Sequence, residues 1–408
     1  MRLTLCELKK IFKGPIVWAA LVLAIAINIF QILTGGVAPI LDTNIQELQK
    51  RYAHFAGPIT QEWVNYYQQE ANSILEDPKY QVSKEEAEAI VQRIMSESGY
   101  TEEAVRNNPF YFLNEAGENE YGKYEDVAFA SNFYEYALNT GNQMAQRYLD
   151  IYSGSKGETL ADYTQDRYTY LANEYTANYN YSFGYKNIRN ILNIYPYTLG
   201  LVILVSLAPL FSSEYARRTD ALLLTSKNGK KKLAHAKLAA GLLAAAIIWS
   251  IVTILNMVII FGLYGTTGWE AFWQDWVSTL SPFPWNQGMA TVIAIFTSLF
   301  GTLLFVCVLM LVSSISKNQF ISIIVGAVIL LFPIFEFAFA SNYSISMIYN
   351  FLPSRIMMGE RIWQGFDLFF LAGVVIPYQY IVIATTIIAS ICTVPITTHF
   401  FAKHQVEN

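Results

Sequence analysis

The stretch "RRTDALLLTSKNGKKKLAHAKL" (217–238) carries seven Lys or Arg and lies between two apolar runs, "ILNIYPYTLGLVILVSLAPLF" (191–211) and "LAAGLLAAAIIWSIVTILNMVIIFGLY" (238–264). Runs of that length suit a helix that crosses about 30 Å of hydrocarbon, which takes roughly 20 residues at about 1.5 Å each. Outward from this loop the chain holds six such blocks, at about 15–34, 191–211, 238–264, 289–312, 320–340 and 379–401. Composition agrees, since 53% of the 408 residues are hydrophobic and 14% are charged, too apolar for an average soluble chain. The run "FDLFFLAGVVI" (366–376) is too short to cross and ends at Pro377; it reads as part of a re-entrant or interfacial element. The first block follows a basic segment, but its apolar stretch is 18 residues long and has no small-residue cleavage site after it. It reads as an uncleaved anchor rather than a signal peptide.

Orientation follows Lys and Arg near the span ends, with long domains discounted. Arg2, Lys9, Lys10, Lys13, the seven of the opening stretch, Lys317 and Lys403 fall on one side, whereas the short loops of the other side hold Arg355 and Arg361. The first side is therefore expected to be cytoplasmic, with both termini inside. Segment 36–190 then lies outside; it carries 12 Lys and Arg against 23 Asp and Glu, and 19 of the 27 tyrosines. Its acidity reads first as a solvated surface, and second as an attraction for cationic substrates. Helical spacing recurs in it, in "SKEEAEAIVQRIM" with a Ser83–Glu86 capping box, in "YEYALNTGNQMAQRYLDIY" and in "ADYTQDRYTYLANEYTANY". The expected fold is an all-α polytopic membrane protein. It has an N-terminal interfacial helix and first span (1–35), a mostly helical extracytoplasmic domain (36–190) whose last helix runs on into span 2, and five further spans (191–408). That last part contains a cytoplasmic loop at 212–237 and an outer re-entrant hairpin at 353–377. In the outer loop 265–288, Trp269, Phe272, Trp273 and Trp276 fall on one helical face, which suits anchoring at a lipid–water boundary.

Chemistry is hard to find. The chain has no G-x-x-x-x-G-K-[ST], H-E-x-x-H or G-x-S-x-G pattern, and its four histidines show no ligand spacing. The three cysteines, Cys6, Cys307 and Cys392, leave 36–190 without any, so neither a disulfide framework nor a cysteine zinc site is available there. A net charge of −5 gives no reason to invoke nucleic acid. The expectation is a non-catalytic chain with no cofactor of its own. Glu336 enters span 5 about 24 Å from its cytoplasmic start, after Pro333, and is weighed as a transport residue against a hydrated structural one. Asn28, Gln31 and Asn256 read as helix–helix hydrogen-bonding residues.

The basic loop has internal order: Glu214, Arg217, Arg218 and Asp220 flank "ALLL", and a polar turn "TSKNGKKK" then leads into span 3. That pattern suits docking of a soluble partner. "SSEYARRTDALLLTSKNGKKKLAHAKL" resembles the cytoplasmic segment between the second and third spans of ABC-2 type transporter permeases. Glu214, Thr219, Leu222, Leu223, Ser226, Lys230 and Lys237 fill that family's positions, while Arg218 and Lys227 depart from its Gly and Pro. The resemblance covers roughly the 250 residues of the membrane part and not the extracytoplasmic domain. It implies a permease subunit that couples hydrolysis of ATP, with magnesium, on separate ABC ATPase subunits to outward movement of a lipid-, peptide- or drug-like substrate. It further implies a second permease subunit, the same chain or a related one. Residues 1–13 would be an interfacial helix, and Glu214, Arg217 and Arg218 would receive the ATPase's push. Met357, Met358, Phe366, Phe369 and Phe370 would line an outer gate. The setting fits a multi-pass protein of a bacterial plasma membrane. The competing expectation is a receptor or sensor whose outer domain binds a ligand and whose inner loop signals; a membrane enzyme would require catalytic residues that are not found.

Overall fold

The computed structural model describes residues 2–98, 100–216, 231–274, 281–316, 318–335 and 347–403. They divide into two units, Met1–Ile45 with Ser182–Trp269 and Trp285–Asn408, and Gln46–Tyr181 with Glu270–Pro284. The first unit opens with α1 (Arg2–Lys13), which buries Glu7 and Ile11 and leaves Lys9, Lys10 and Lys13 exposed. Gly14 separates it from α2 (Pro15–Thr34), where proline takes the first helical position because its missing N–H costs nothing there. One stripe of α2 is buried, Val17, Leu21, Ala24, Asn28 and Ile32, while Ile16, Val22, Leu23 and Phe30 stay exposed. The Trp18 indole donates to the Phe12 carbonyl at 2.8 Å and ties the two helices together.

The second unit is helical and rich in tyrosine. It contains α3 (Ile45–His54), α4 (Gln61–Glu76), α5 (Lys84–Ser98), α6 (Glu102–Arg106), α7 (Glu115–Gly122), α8 (Glu125–Ser131), α9 (Phe133–Ile151) and α10 (Ser155–Asn173). A two-residue pairing closes it, β1 (Gly57–Pro58) against β2 (Asn178–Tyr179). The core stacks Tyr52 on Tyr179, with centroids 5.2 Å apart and planes 3° from parallel, and sets Phe55 edge-on to Trp63 at 6.2 Å. The buried hydroxyl of Tyr52 donates to Asp126. Burial first, then Tyr179 and Asp126, push its pKa well above the ordinary value. The Ser83 hydroxyl accepts from the Glu86 backbone at 3.2 Å, as the capping pattern requires.

The first unit resumes with α11 (Phe183–Leu192), α12 (Leu199–Leu207), α13 (Pro209–Ala216), α14 (Lys231–Tyr264), α15 (Gln287–Ile315), α16 (Gln319–Leu331), α17 (Pro353–Met357), α18 (Arg361–Gln364) and α19 (Tyr378–Lys403). A β-hairpin, β3 (Leu368–Leu371) with β4 (Val374–Pro377), precedes α19. Helices α2, α14, α15 and α19 are long and apolar enough to cross a membrane, and shorter apolar helices cover Leu199–Ser213 and Gln319–Phe335. α14 and α15 run antiparallel: Gly241 faces Met310, and the Trp249 indole lies 3.4 Å from the Ser298 hydroxyl. A Cβ on Gly301 would come within 2.4 Å of the Met357 nitrogen, so α17 lies directly on α15 through that glycine.

Four features differ from the sequence expectation. The 191–211 block is interrupted: α11 ends at Leu192, turns fill 193–198 around Pro196, and the helix restarts at Leu199. α11 therefore does not run on into the apolar helix. The second unit, Gln46–Tyr181, is shorter at both ends than 36–190, and it recruits 270–284 from a later loop. The expected helical face in that loop is absent among the described residues: 265–274 is bends and turns, Trp273 is wholly buried, and Trp276 lies outside them. Trp269, 48% exposed, keeps the surface position that anchoring needs. Lastly, 368–377 is a hairpin of strands; Ala372 and Gly373, at φ of 50° and 87°, form a turn with two left-handed residues that matches strand twist.

Candidate functional site

The loop expected to receive a partner falls largely outside the described residues: Arg217, Arg218, Thr219, Leu222, Leu223, Ser226 and Lys230 all do, and Glu214 is described only as backbone within α13. Its two roots are described, and they are fastened to each other. Lys237, on the first turns of α14, is 2% exposed, and its ammonium donates to the Leu210 carbonyl of α13 at 2.8 Å. The same ammonium lies 3.3 Å from Glu7 of α1, which is also 2% exposed and also binds Lys10. Phe211 contributes its ring, with the centroid 5.6 Å from the ammonium. One lysine thus joins three helices at the base of one loop.

Burial alone would raise the Glu7 carboxyl, but the Lys237 and Lys10 ammonium groups outweigh it and hold the pKa below its ordinary value. Beside the clasp, Pro209 interrupts the apolar helix between α12 and α13, and Ser313 of α15 repairs the gap. Its hydroxyl donates to the Ala208 carbonyl at 2.6 Å and accepts from the Phe211 and Ser212 amides at 3.2 Å.

A second buried ion pair lies toward the opposite end of α14 and α15. Arg189 of α11 donates through Nε to Glu360 at 2.6 Å, and through a terminal nitrogen to the Thr291 hydroxyl at 3.0 Å and the Gln287 carbonyl at 3.3 Å. Arg189 is 3% exposed and Glu360 8%. This cluster binds α11, the start of α15 and the link between α17 and α18. Sequence reading missed Arg189, Glu360 and Glu7. A signal for Glu7 was present, since it is the only acidic residue before Asp42.

The residues expected at an outer gate are found in two settings. Met357, Met358 and Phe366 are buried, and the Met357 methyl packs on α12 at Gly200. Phe369 and Phe370 are half-buried neighbours on one strand, so they point to opposite faces of the hairpin. Glu336 lies outside the described residues. Of the polar span residues, the Asn256 amide donates to the Tyr195 hydroxyl at 3.3 Å, while Gln31 turns back to the Gly35 carbonyl of its own segment. Neither side-chain polar atom of Asn28, wholly buried in α2, has a hydrogen-bond partner among the described residues. In the second unit, Asn142, Gln146, Leu149, Glu158, Asp162 and Gln165 line a groove of about 550 Å³ between α9 and α10. No family model, curated protein or solved structure matches the chain.

Proposed function

We propose that the chain is a membrane-spanning permease subunit that couples ATP hydrolysis on a separate ABC-type ATPase to export of a lipid-, peptide- or drug-like molecule. The observation that carries the reading is the clasp at the roots of 217–230. A loop that only set topology would need a few positive charges near the surface. Here a buried carboxylate, a buried lysine and a backbone carbonyl join α1, α13 and α14, so a push on the loop moves three helices together. In this reading α2, α14, α15 and α19 span the bilayer, and the two shorter apolar helices complete a set of six. α14 supports it further: its 34 residues make a helix about 51 Å long, against about 30 Å of hydrocarbon. The first turns of α14, with Lys231, Lys232 and Lys237, then stand clear of the lipid and hold the loop in the cytoplasm. The ATPases act there, the second unit lies outside the cell, and a second permease chain completes the transporter.

The test is recovery of the intact complex from its native membrane. An exporter subunit brings down an ATPase whose hydrolysis rises in its presence. Purified protein that responds to a ligand with no nucleotide-hydrolysing companion is a sensor, and the proposal then fails. Replacing Glu214 and Arg217 with residues of opposite charge should remove ATPase association while membrane insertion persists.

A further inference from the structure

The hairpin 368–377 reads "LFFLAGVVIP", ten residues with no charged and no hydrogen-bonding side chain. Its root is fixed. The Tyr378 amide donates to the Asp367 carbonyl at 3.0 Å, the Gln379 side chain donates to the Gly365 carbonyl at 2.5 Å, and Phe366 and Leu368 are buried. Its tip is open: residues 371–374 are all exposed, Leu371 at 66% and Val374 at 57%. Leu371 matches the exposure of Ile391, 66%, on α19, and both tip values are close to that of Val258, 65%, on α14; both of these helices are apolar enough to cross a membrane. The fixed root and bare aliphatic tip need an occupant.

We propose that this hairpin is a lipid-inserted wedge, its tip lying in the bilayer among the upper acyl chains beside the start of α19. The proposal rests on α19 being a span and not on what the protein transports. Three observations favour lipid over a water-borne partner. No residue separates Pro377 of the hairpin from Tyr378 of α19, so the root sits where the span meets its boundary. Tyr380, 52% exposed, and the nearby Trp363 ring, 6.3 Å from it, give that root the aromatic character of a lipid–water boundary. The side chains of 368–377 offer neither charge nor hydrogen bonds with which to select a soluble ligand. Depth is limited by the backbone. Among the described residues no third strand pairs with the two-stranded sheet, and edge amides and carbonyls need water or headgroups. Four residues per strand reach about 13 Å. A shallow position, about 5–10 Å below the headgroups, satisfies both the side chains and the edges.

Spin labels on the full chain in phosphatidylcholine vesicles test this. Leu371→Cys would be labelled with Cys6, Cys307 and Cys392 replaced by alanine. Ile391→Cys serves as the span control and exposed Glu62→Cys as the water control. The expected result is an oxygen-to-nickel-chelate accessibility ratio at 371 severalfold above that at 62 and approaching that at 391. A ratio at 371 equal to that at 62, with 391 still in lipid, overturns the wedge alone. Water accessibility at 391 as well overturns the membrane reading and the wedge together. Shielding of 371 from both reagents means a protein partner, and dipolar broadening that vanishes on dilution with unlabelled chain means a second copy. Either of these overturns the proposal.

Discussion

The two buried ion pairs of the first unit use the same chemistry for different structural tasks. Arg189 spreads its planar fork over a carboxylate, a hydroxyl and a carbonyl, drawn from segments about 100 and 170 residues away in sequence. Lys237 instead acts as a point charge, shared between the Leu210 carbonyl and Glu7 on a short helix. The arginine cluster fixes several elements in one geometry. The lysine clasp holds a peripheral helix and two loop roots, and its long stem gives it somewhere else to go. A buried ion pair is costly to break from one side, because the remaining charge stays desolvated. The two pairs should therefore differ most when one partner is removed.

Arg189→Ala gives the largest expected effect, a loss of roughly 3–5 kcal/mol read as a lower melting temperature of the purified protein. Arg189→Met combined with Glu360→Leu should restore most of that loss. If the single variant melts like the wild type, the cluster is not a structural bolt. Lys237→Met should release α1 and leave the rest folded. Amide protection over residues 2–13 would fall by about ten- to hundredfold, equivalent to roughly 1.5–3 kcal/mol. Loss of protection throughout α14 and α15 as well would erase the contrast between the two pairs.

Acid sharpens the same comparison. The folded Glu7 pKa is depressed below its ordinary value of 4.5, so its contribution is fully present above that value and is lost as pH falls through the folded value. The protection factors of α1 should be flat near neutrality and fall in acid, and Glu7→Gln should remove the dependence. A pH-independent α1 would deny the carboxylate its role. The smallest effects come from two glycines outside either pair. Gly301→Ala must displace α17 backbone within 2.6 Å and should lose about 1–3 kcal/mol, whereas Gly262→Ala, with nothing within 4 Å, should gain up to about 1 kcal/mol. Thermal melts of the two variants moving in the same direction would contradict that packing.

Much of the first unit was legible because a span is written locally. The block read at 15–34 is the helix Pro15–Thr34, and 379–401 lies within Tyr378–Lys403. Pro333 marks the change from α-helix to a 3-10 turn at Phe332–Phe335. What escaped reading depends on distant partners. Arg189 looks like any helix-flanking arginine until Glu360 arrives, 171 residues later. Trp273 looks like a boundary aromatic until the core that receives it is known. The hairpin escaped for another reason: in a short apolar run, periodicity cannot separate strand from helix. The Ala372–Gly373 turn beside Val374, Val375 and Ile376 was the available clue. Of the candidate site, the sequence marked the loop and Lys237, but not the carboxylate that meets it.

The recruitment of 270–284 into the tyrosine-rich unit has a consequence for biosynthesis. A ribosome releases 46–181 well before it reaches Phe272, yet that buried ring sits edge-on to Phe133 at 5.2 Å and its backbone amide donates to the Asn178 carbonyl at 2.8 Å. Until then Phe133 and the Asn178 carbonyl wait for these partners, and domains whose chain is complete fold as they emerge. This one must wait for α14 to be made, so a chain released at residue 264 would carry 46–181 without its 270–284 complement, a bare patch for proteases and chaperones to find.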